Sequence, residues 1–258
     1  MIKIYTQTFG QGQPLVLVHG WAMHTGIWRK FAEQLGQFYQ VTCIDLPGHG
    51  FSEALDTFTL ERVSAELINA VPESQSCWLG WSLGASVVLD IAQRFPERVS
   101  SLILLAGNPL FPQTELWPGM KVDLLEAFGE QLREDCRATL LRFLSLQVTY
   151  ARDQKSLLRT LKAAVLACDS PNPVTLQGGL EILKRTDLRS VLVETKVPVS
   201  VILGTRDTLV PVRVGQELLA LAPEIKLSII DKAGHVPFLS HPQDLLEIIT
   251  DFMDEQCT

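Results

Sequence analysis

The sequence has few of the features that would set it apart from ordinary globular enzymes. Its five cysteines, an odd number in 258 residues, form no C-x-x-C pair, so neither a disulfide framework nor a zinc site is indicated. No apolar run is long enough to cross a bilayer, and the first residues lack the apolar core of a signal peptide. A net charge of −7 argues against general affinity for nucleic acid. We therefore expect a cytoplasmic, monomeric protein without a membrane or nucleic-acid partner.

Short apolar runs alternate with segments of helical periodicity over much of the chain. The predicted strands cover residues 15–18, 41–44, 77–79, 99–106, 197–203 and 226–230. Their apolar runs are continuous, which is typical of strands that are buried on both faces. The pattern predicts the α/β class, with a mostly parallel central sheet and helices on both faces.

The alternation of strands and helices stops at residues 107–109. From about residue 111 to residue 185 the pattern is helical throughout, and no strand-like run interrupts it. Breaks in the helical pattern fall near residues 117–119, 148–150 and 170–173. The sequence therefore predicts an α/β core made of residues 1–110 and 186–258, with an all-helical cap insertion of residues 111–185.

Residues 80–84, with the sequence GWSLG, follow an apolar run and precede a helical segment. The spacing Gly-x-Ser-x-Gly in this context is the nucleophile-elbow pattern. A serine on such a turn needs strained backbone of positive φ, so its neighbours two residues away must lack bulk. The pattern predicts that Ser82 is a nucleophile.

A serine nucleophile needs a base that takes its proton and an acid that orients the base. Asp207 and His235 each follow a different predicted strand, and the carboxyl ends of parallel strands meet at one edge of a sheet. The order Ser82, Asp207, His235 is that of the α/β hydrolases. Asp45 and Asp231 are alternative acids, although Asp231 is too close in sequence to His235 for an easy reach.

An oxyanion intermediate needs two N–H donors beside the nucleophile. One is expected to be the amide of Leu83, directly after the serine, and the other the amide of Trp21, after the first buried strand. Gly20 would let this loop approach closely, and His19 is expected to bond loop backbone. This chemistry needs no metal or organic cofactor.

The chain resembles the α/β-hydrolase superfamily along its whole length. The residues that carry this resemblance are 19–21 (HGW), 45–52 (DLPGHGFS), 80–84 and 234–235 (GH). More narrowly, the chain is similar to the family of pimeloyl-[acyl-carrier protein] methyl ester esterases of biotin synthesis. The narrower signals are Trp81 and residues 117–119 (WPG), 142–147 (RFLSLQ) and 178–189 (GGLEILKRTDLR). One departure is Ala85, where many members have glycine.

The resemblance implies a catalytic triad of Ser82, Asp207 and His235, with oxyanion donors at Trp21 and Leu83. The implied substrate-binding residues are Trp21, Ser82, Leu83, Phe143, Gln147 and His235. The aromatic residues Trp81, Trp117 and Phe143 could be plain core or could line an acyl channel, and the sequence does not place them relative to Ser82.

Basic residues are concentrated within the predicted cap. Residues 137–162 carry a net charge of +5, which leaves −12 for the rest of a chain whose total is −7. Four of these residues lie three or four apart and so share one helical face: Arg152, Lys155, Arg159 and Lys162. A solvated face and an acidic macromolecular partner both explain this charge, and the resemblance implies an acyl carrier protein. The predicted carrier contacts are Arg142, Arg152, Lys155 and Arg159.

The combined prediction is a serine carboxylesterase that is also active on short-chain esters. The resemblance implies release of methanol from a pimeloyl methyl ester on an acyl carrier protein. A thioesterase or carbon–carbon bond hydrolase of the same fold stays open as an alternative, as does a receptor that binds a ligand without turnover.

Overall fold

In a computed structural model that describes residues 1–256, seven strands form one open sheet. The strands are β1 (Thr6–Phe9), β2 (Pro14–Val18), β3 (Gln40–Ile44), β4 (Ser76–Trp81), β5 (Val99–Leu105), β6 (Val199–Gly204) and β7 (Lys226–Ile230). Their spatial order is β1-β3-β2-β4-β5-β6-β7. Every neighbouring pair is parallel except β1 with β3, so the predicted α/β class and mostly parallel sheet are confirmed.

Helices follow the strands along the chain. They are α1 (Arg29–Leu35), α2 (Leu60–Ala70), α3 (Leu83–Arg94), α4 (Val122–Glu134), α5 (Cys136–Gln147), α6 (Gln154–Val165), α7 (Pro173–Arg185), α8 (Arg189–Glu194), α9 (Val214–Leu221), α10 (Pro237–Ser240) and α11 (Pro242–Asp254). Within residues 1–256, no helix combines the length and the apolar character that a membrane crossing requires. The fifth cysteine, Cys257, lies outside the described residues.

Two apolar cores lie on opposite faces of the sheet. Leu15 and Leu17 of β2 pack with α1 and α11, whereas Val16 and Val18 pack with α2 and α3. Successive side chains of a strand point to opposite faces, so a strand covered on both faces has to be apolar at every position. This is the physical reason for the continuous apolar run that the sequence shows here.

Four consecutive helices, α4 to α7, connect β5 to α8. Helices α5 and α7 begin at side-chain caps, since Asp135 accepts a hydrogen bond from the Ala138 amide (2.9 Å) and Asn172 accepts one from the Thr175 amide (2.8 Å). The predicted breaks near residues 148–150 and 170–173 are the loops on either side of α6.

The prediction of helix throughout residues 111–185 is wrong at its beginning. Helix α4 starts at Val122, and the preceding residues fold back on themselves, because the Met120 amide donates to the Phe111 carbonyl (3.0 Å). The sequence here contains Pro112 and Pro118, and proline lacks the N–H that a helical turn needs. Phe111 and Trp117 of this loop are buried without helical backbone, whereas Leu116 is exposed.

Candidate active site

Ser82 occupies the turn between β4 and α3 in strained backbone. Its φ of 56° is positive, as the elbow pattern predicts, and its ψ of −117° lies outside the left-handed helical region, so the backbone is strained. A Cβ atom on Gly80 would lie 2.2 Å from the Gly84 carbonyl oxygen, and one on Gly84 would lie 2.4 Å from the Val18 carbonyl oxygen. Only glycine fits at either position, so the motif follows from the sterics of the turn.

Ser82, His235 and Asp207 form a continuous chain of buried hydrogen bonds. The Nε2 atom of His235 lies 2.9 Å from Ser82 Oγ, and its Nδ1 atom lies 2.8 Å from Asp207 Oδ2. The exposed fractions of Ser82 and His235 are only 5% and 1%. With the Nδ1 proton directed at the carboxylate, Nε2 is left as the acceptor for the serine hydroxyl. The arrangement can therefore move a proton from Ser82 to His235.

The Asp207 carboxylate is fixed by the loop that follows β6. Its Oδ1 atom accepts hydrogen bonds from the amides of Leu209 (2.8 Å) and Val210 (3.0 Å), which leaves Oδ2 for the imidazole. Backbone donors hold the carboxylate in one orientation without a competing cation. Asp207 is thus able to orient the His235 ring.

The alternative acids bond elsewhere. Asp45 accepts hydrogen bonds from the amides of Thr25 (2.6 Å) and Phe51 (2.9 Å) and so connects two loops. Burial raises the pKa of the Asp45 carboxyl. Asp231 is exposed and forms an ion pair with Lys232 at 3.3 Å.

His19 and His49 are buried, neutral residues of the loops beside the site. His19 Nδ1 donates to the Gly20 carbonyl (2.8 Å), and its Nε2 accepts from the Leu46 amide (2.9 Å), as predicted for a ring that bonds loop backbone. Burial lowers the pKa of His19 and of His49 to about 3 in each case. Both rings therefore stay uncharged at neutral pH.

The loop that carries Trp21 runs directly against the nucleophile. A Cβ atom on Gly20 would lie 3.2 Å from the Cβ atom of Ser82, so the predicted close approach of this loop is confirmed. Leu83 is the first residue of α3, and the first N–H groups of a helix have no acceptor in the preceding turn. Both predicted oxyanion donors are thus in segments adjoining Ser82.

An apolar cavity of about 220 Å³ lies beside Trp21, between α4, α5 and α7. Phe143 meets the Trp21 ring edge-on, with 4.9 Å between ring centroids, and Phe128 completes the aromatic wall. Three polar residues also line the cavity: Gln131, Arg142 and Thr208. Two of them bond to each other, with Arg142 Nη1 donating to Gln131 Oε1 at 3.1 Å. The cavity suits a chain that is apolar over most of its length.

The structure separates the three aromatic residues that the sequence could not place. Phe143 lines the cavity. Trp81 packs behind the triad, where its indole N–H donates to the His235 carbonyl (2.8 Å). Trp117 is bonded to the Leu110 carbonyl (2.8 Å) and lies under Arg189, so it belongs to the loop before α4. The sequence reasoning missed Phe128, for which the apolar periodicity of α4 was the available signal.

Gln147 is buried next to the base. Its backbone carbonyl accepts from the His235 amide at 3.3 Å, and its side chain is only 1% exposed. Neither polar atom of the Gln147 carboxamide has a partner within the described residues. A buried carboxamide without hydrogen-bond partners is unusual, and it indicates that this side chain can bind a further polar group.

Exposed basic residues lie on α5, on α6 and in the turn before α6. Helix α6 begins at Gln154, so the prediction that Arg152 shares a helical face with Lys155, Arg159 and Lys162 is wrong for Arg152. Arg142, Arg152, Lys155 and Arg159 are exposed, whereas Leu157 and Leu161 are buried on the opposite face of α6. Among residues 1–256, Arg152, Lys155 and Arg159 form no ion pair with a carboxylate. Their charge is therefore available to an acidic surface.

Residues 13–242 match the family model described as the alpha/beta hydrolase fold. The chain belongs to the α/β-hydrolase family. It is 41% identical over 243 residues to the curated pimeloyl-[acyl-carrier protein] methyl ester esterase of Salmonella newport, which covers 94% of each chain. It is 40% identical over 250 residues to the Citrobacter koseri protein of the same name, covering 96% of this chain and 97% of that one. This identity makes it a member of that esterase family and a carboxylic ester hydrolase.

Solved structures of more distant proteins share the fold. An esterase from Exiguobacterium antarcticum superposes with a TM-score of 0.89 at 23% identity, over 98% of this chain and 96% of that one. A bromoperoxidase from Bacillus anthracis gives 0.88 at 21% identity, with the same coverage. At this identity the likeness shows the fold alone. Because the chain belongs to an esterase family, we reject the alternative that it is a receptor that binds a ligand without turnover.

Proposed function

We propose that this enzyme hydrolyses the methyl ester of pimeloyl-[acyl-carrier protein] to pimeloyl-[acyl-carrier protein] and methanol, as a step of biotin synthesis. The observation that carries the proposal is the buried chain of hydrogen bonds from Ser82 through His235 to Asp207. The apolar cavity reaches this site through Trp21 and Thr208, which line it. The names of the relatives at about 40% identity support the substrate. Short-chain esters are expected to be accepted as well.

Acylation begins when Ser82 Oγ attacks the ester carbonyl while His235 Nε2 takes the hydroxyl proton. Asp207 stabilises the imidazolium that forms, and the amides of Trp21 and Leu83 donate to the oxyanion of the tetrahedral intermediate. When the intermediate collapses, His235 returns the proton to the departing oxygen, and methanol leaves. Water, activated by His235, then attacks the acyl-enzyme, and the free carboxylate and Ser82 are released.

The acyl chain is proposed to occupy the cavity, in contact with Phe143. Gln147 is proposed to bind a polar atom of the substrate or a water beside it, because its buried carboxamide has no partner among the described residues. Leaving such a group unpaired costs about 1–3 kcal/mol, and a bound acceptor or donor would recover part of that cost.

The carrier protein is proposed to dock on the exposed basic residues of α5, of α6 and of the turn between them, namely Arg142, Arg152, Lys155 and Arg159. Acyl carrier proteins are strongly acidic, and the rest of this chain is acidic as well, so these residues are the complementary surface that it offers. We also propose that residues 111–185 act as a cap over the core formed by residues 1–110 and 186–258. In this role, the cap carries both the proposed docking surface for the carrier protein and the helices that line the acyl cavity.

We further propose that the enzyme acts as a monomer in the cytoplasm and needs no cofactor. The four cysteines among residues 1–256 are free, which fits a reducing compartment. Cys43 and Cys77 are buried, and burial raises the pKa of the Cys77 thiol to about 12, so it is unreactive there.

The deciding experiment measures methanol released from a carrier-bound and a free pimeloyl methyl ester, by the wild type and by Ser82→Ala. We expect the carrier-bound ester to have the higher kcat/KM, and Ser82→Ala to lose activity while it keeps its melting temperature. Activity of Ser82→Ala above a tenth of wild type contradicts the mechanism. Faster turnover of the thioester of the same acyl chain would instead make the enzyme a thioesterase.

A further inference from the structure

The two residues that flank Asp207 bond to the C-terminal end of α5 and to the turn that follows it. Thr208 Oγ1 donates to the Leu146 carbonyl at 3.2 Å, and Arg206 Nη1 donates to the Tyr150 carbonyl at 2.9 Å. The last carbonyls of a helix have no partner within the helix, so they accept from whatever packs against them. The Leu146 carbonyl accepts from the Thr149 amide (3.3 Å) as well as from Thr208. Through Thr208 and Arg206, the acid loop is therefore attached to this helix end and to the turn after it.

The loop that carries the base bonds to the same helix end. The His235 amide donates to the Gln147 carbonyl at 3.3 Å, and the Arg206 amide donates to the Ala233 carbonyl at 2.8 Å, which joins the acid loop to the base loop. The two loops, which come from different strands, thus share one support. Because α5 also carries Phe143 in the cavity wall, the support is continuous with the acyl site.

The turn after α5 is strained at the point that Arg206 holds. Tyr150 has a φ of 63°, and a bulky side chain rarely adopts this left-handed conformation. Such a conformation persists only where the surroundings hold it in place. The bond from Arg206 to the Tyr150 carbonyl is a contact that does so.

The helix end also supplies a favourable field. The C-terminal carbonyls of a helix carry a partial negative charge, and α5 is 12 residues long. During catalysis His235 becomes a cation, with its backbone amide already 3.3 Å from one of these carbonyls. Holding the helix end in place therefore helps to fix the position of the base.

We propose that Arg206 and Thr208 are positioning residues that fasten the acid and base loops to the end of α5, so that this cap helix sets the geometry of the triad. The proposal rests on the proposed function, because it takes Ser82, Asp207 and His235 as the triad. Neither residue touches the reacting atoms. Arg206 lies outside the acyl cavity, so its effect is expected in kcat alone, whereas Thr208 also lines the cavity, so its replacement is expected to change KM as well.

The test compares Thr208→Val with Thr208→Ser on p-nitrophenyl butyrate and on the carrier-bound methyl ester. Valine keeps the size of the side chain and removes the donor, whereas serine keeps the donor. We expect Thr208→Val to lower kcat about fivefold on both substrates, the effect of one hydrogen bond. Thr208→Ser is expected to keep at least half of wild-type kcat.

A second variant guards against a folding defect. Arg206→Ala should also lower kcat about fivefold, with KM within twofold of wild type because Arg206 does not line the cavity. Arg213→Ala, at another exposed arginine, should leave kcat unchanged. If Thr208→Val does not fold, the Arg206→Ala result alone decides. The proposal is overturned if Arg206→Ala and any folded Thr208→Val keep kcat within twofold of wild type, or if Thr208→Ser loses as much as Thr208→Val. An active Ser82→Ala would instead overturn the proposed function, whatever these variants do.

Discussion

The indole N–H of Trp81 donates to the backbone carbonyl of His235 at 2.8 Å, so the residue before the nucleophile holds the residue that serves as the base. Trp81 is itself fixed by edge-on packing with Phe238, at 4.9 Å between ring centroids, and with Trp28, at 5.9 Å. The elbow and the histidine loop come from strands that are not neighbours in the sheet. This one bond joins them behind the triad.

Replacing this donor should reduce both stability and turnover. Trp81→Phe keeps an aromatic ring but leaves the buried His235 carbonyl without its partner, which costs about 1–3 kcal/mol of unfolding free energy. We expect kcat to fall about fivefold as the histidine loop loosens, as measured by urea unfolding and ester hydrolysis.

The matched control is Trp78→Phe. Trp78 is fully buried in the same strand, and its indole donates to the Arg98 carbonyl at 3.3 Å, away from the triad. The Trp78→Phe variant should be less stable than wild type, with little change in kcat. Equal losses of kcat in the two variants would mean that Trp81 acts through the core alone.

Charge reversal on the cap should separate carrier recognition from chemistry. Arg152, Lys155 and Arg159 changed together to Glu should raise KM for the carrier-bound ester at least tenfold, because each lost attraction becomes a repulsion. The kcat/KM of this variant for p-nitrophenyl butyrate should stay within twofold of the wild-type value. The KM difference should shrink as salt screens the charges.

The control for this variant reverses three exposed basic residues elsewhere, Arg29, Lys30 and Arg213. It carries the same change of net charge and should leave KM for the carrier-bound ester within about threefold of wild type. A similar rise of KM in both triple variants would assign the effect to overall charge. A loss on the small ester as well would indicate a damaged fold.

Acid should destabilise the enzyme through its buried histidines. The pKa of His49 is lowered to about 3 in the folded chain by burial, against about 6.5 unfolded. Above pH 6.5 the ring is neutral in both states and has no effect. Below it the unfolded chain binds a proton that the folded chain does not, so stability falls with pH down to about 3. His19 has the same shift and the same sign.

His49→Asn should remove part of this acid sensitivity. The asparagine amide can still donate to the Pro47 carbonyl, which His49 Nδ1 contacts at 3.0 Å, but it does not titrate. Between pH 7 and pH 5 the variant should lose about 2 kcal/mol less unfolding free energy than wild type. His241→Asn, at a partly exposed histidine, should lose as much as wild type. Parallel pH curves for wild type and His49→Asn would rule out this source of acid sensitivity.

The parts of the fold with strong local signals could be predicted from the sequence. The strand β2 needs apolar residues at every position, and the elbow needs Gly80 and Gly84, so the sequence pattern predicts both. The edge strand β1 was not predicted, because its residues TQTF are mostly half-exposed and polar and gain their order from pairing with β3. Pairing partners distant in sequence leave no periodic signal.

The candidate site divides in the same way. Ser82, Asp207 and His235 follow strand ends in a recognisable order, and the geometry brings them into contact. The bonds from Arg206 and Thr208 to the end of α5 join segments more than 50 residues apart, so no local pattern reports them. The loop before α4 was mistaken for helix because its apolar residues are spaced like those of a helix, although its prolines interrupt the backbone bonds.

Gln147 offers a prediction in which stability and function change in opposite directions. Gln147→Leu has a similar volume and removes two buried polar groups that have no partner in the described residues, so the unfolding free energy should rise by about 1 kcal/mol or more. If the carboxamide binds substrate, KM for the ester should rise at least fivefold in the same variant. Thermal unfolding and steady-state kinetics on one preparation measure both.

Ser200→Ala serves as the control for Gln147→Leu. Its hydroxyl is also buried without a partner among residues 1–256, but it lies in β6, within the sheet. This variant should alter stability and leave KM unchanged. Should Gln147→Leu gain stability with KM within twofold of wild type, Gln147 would not be a substrate contact. A damaged fold would lower stability and substrate affinity together. A rise in KM with a gain in stability therefore cannot be explained by damaged folding.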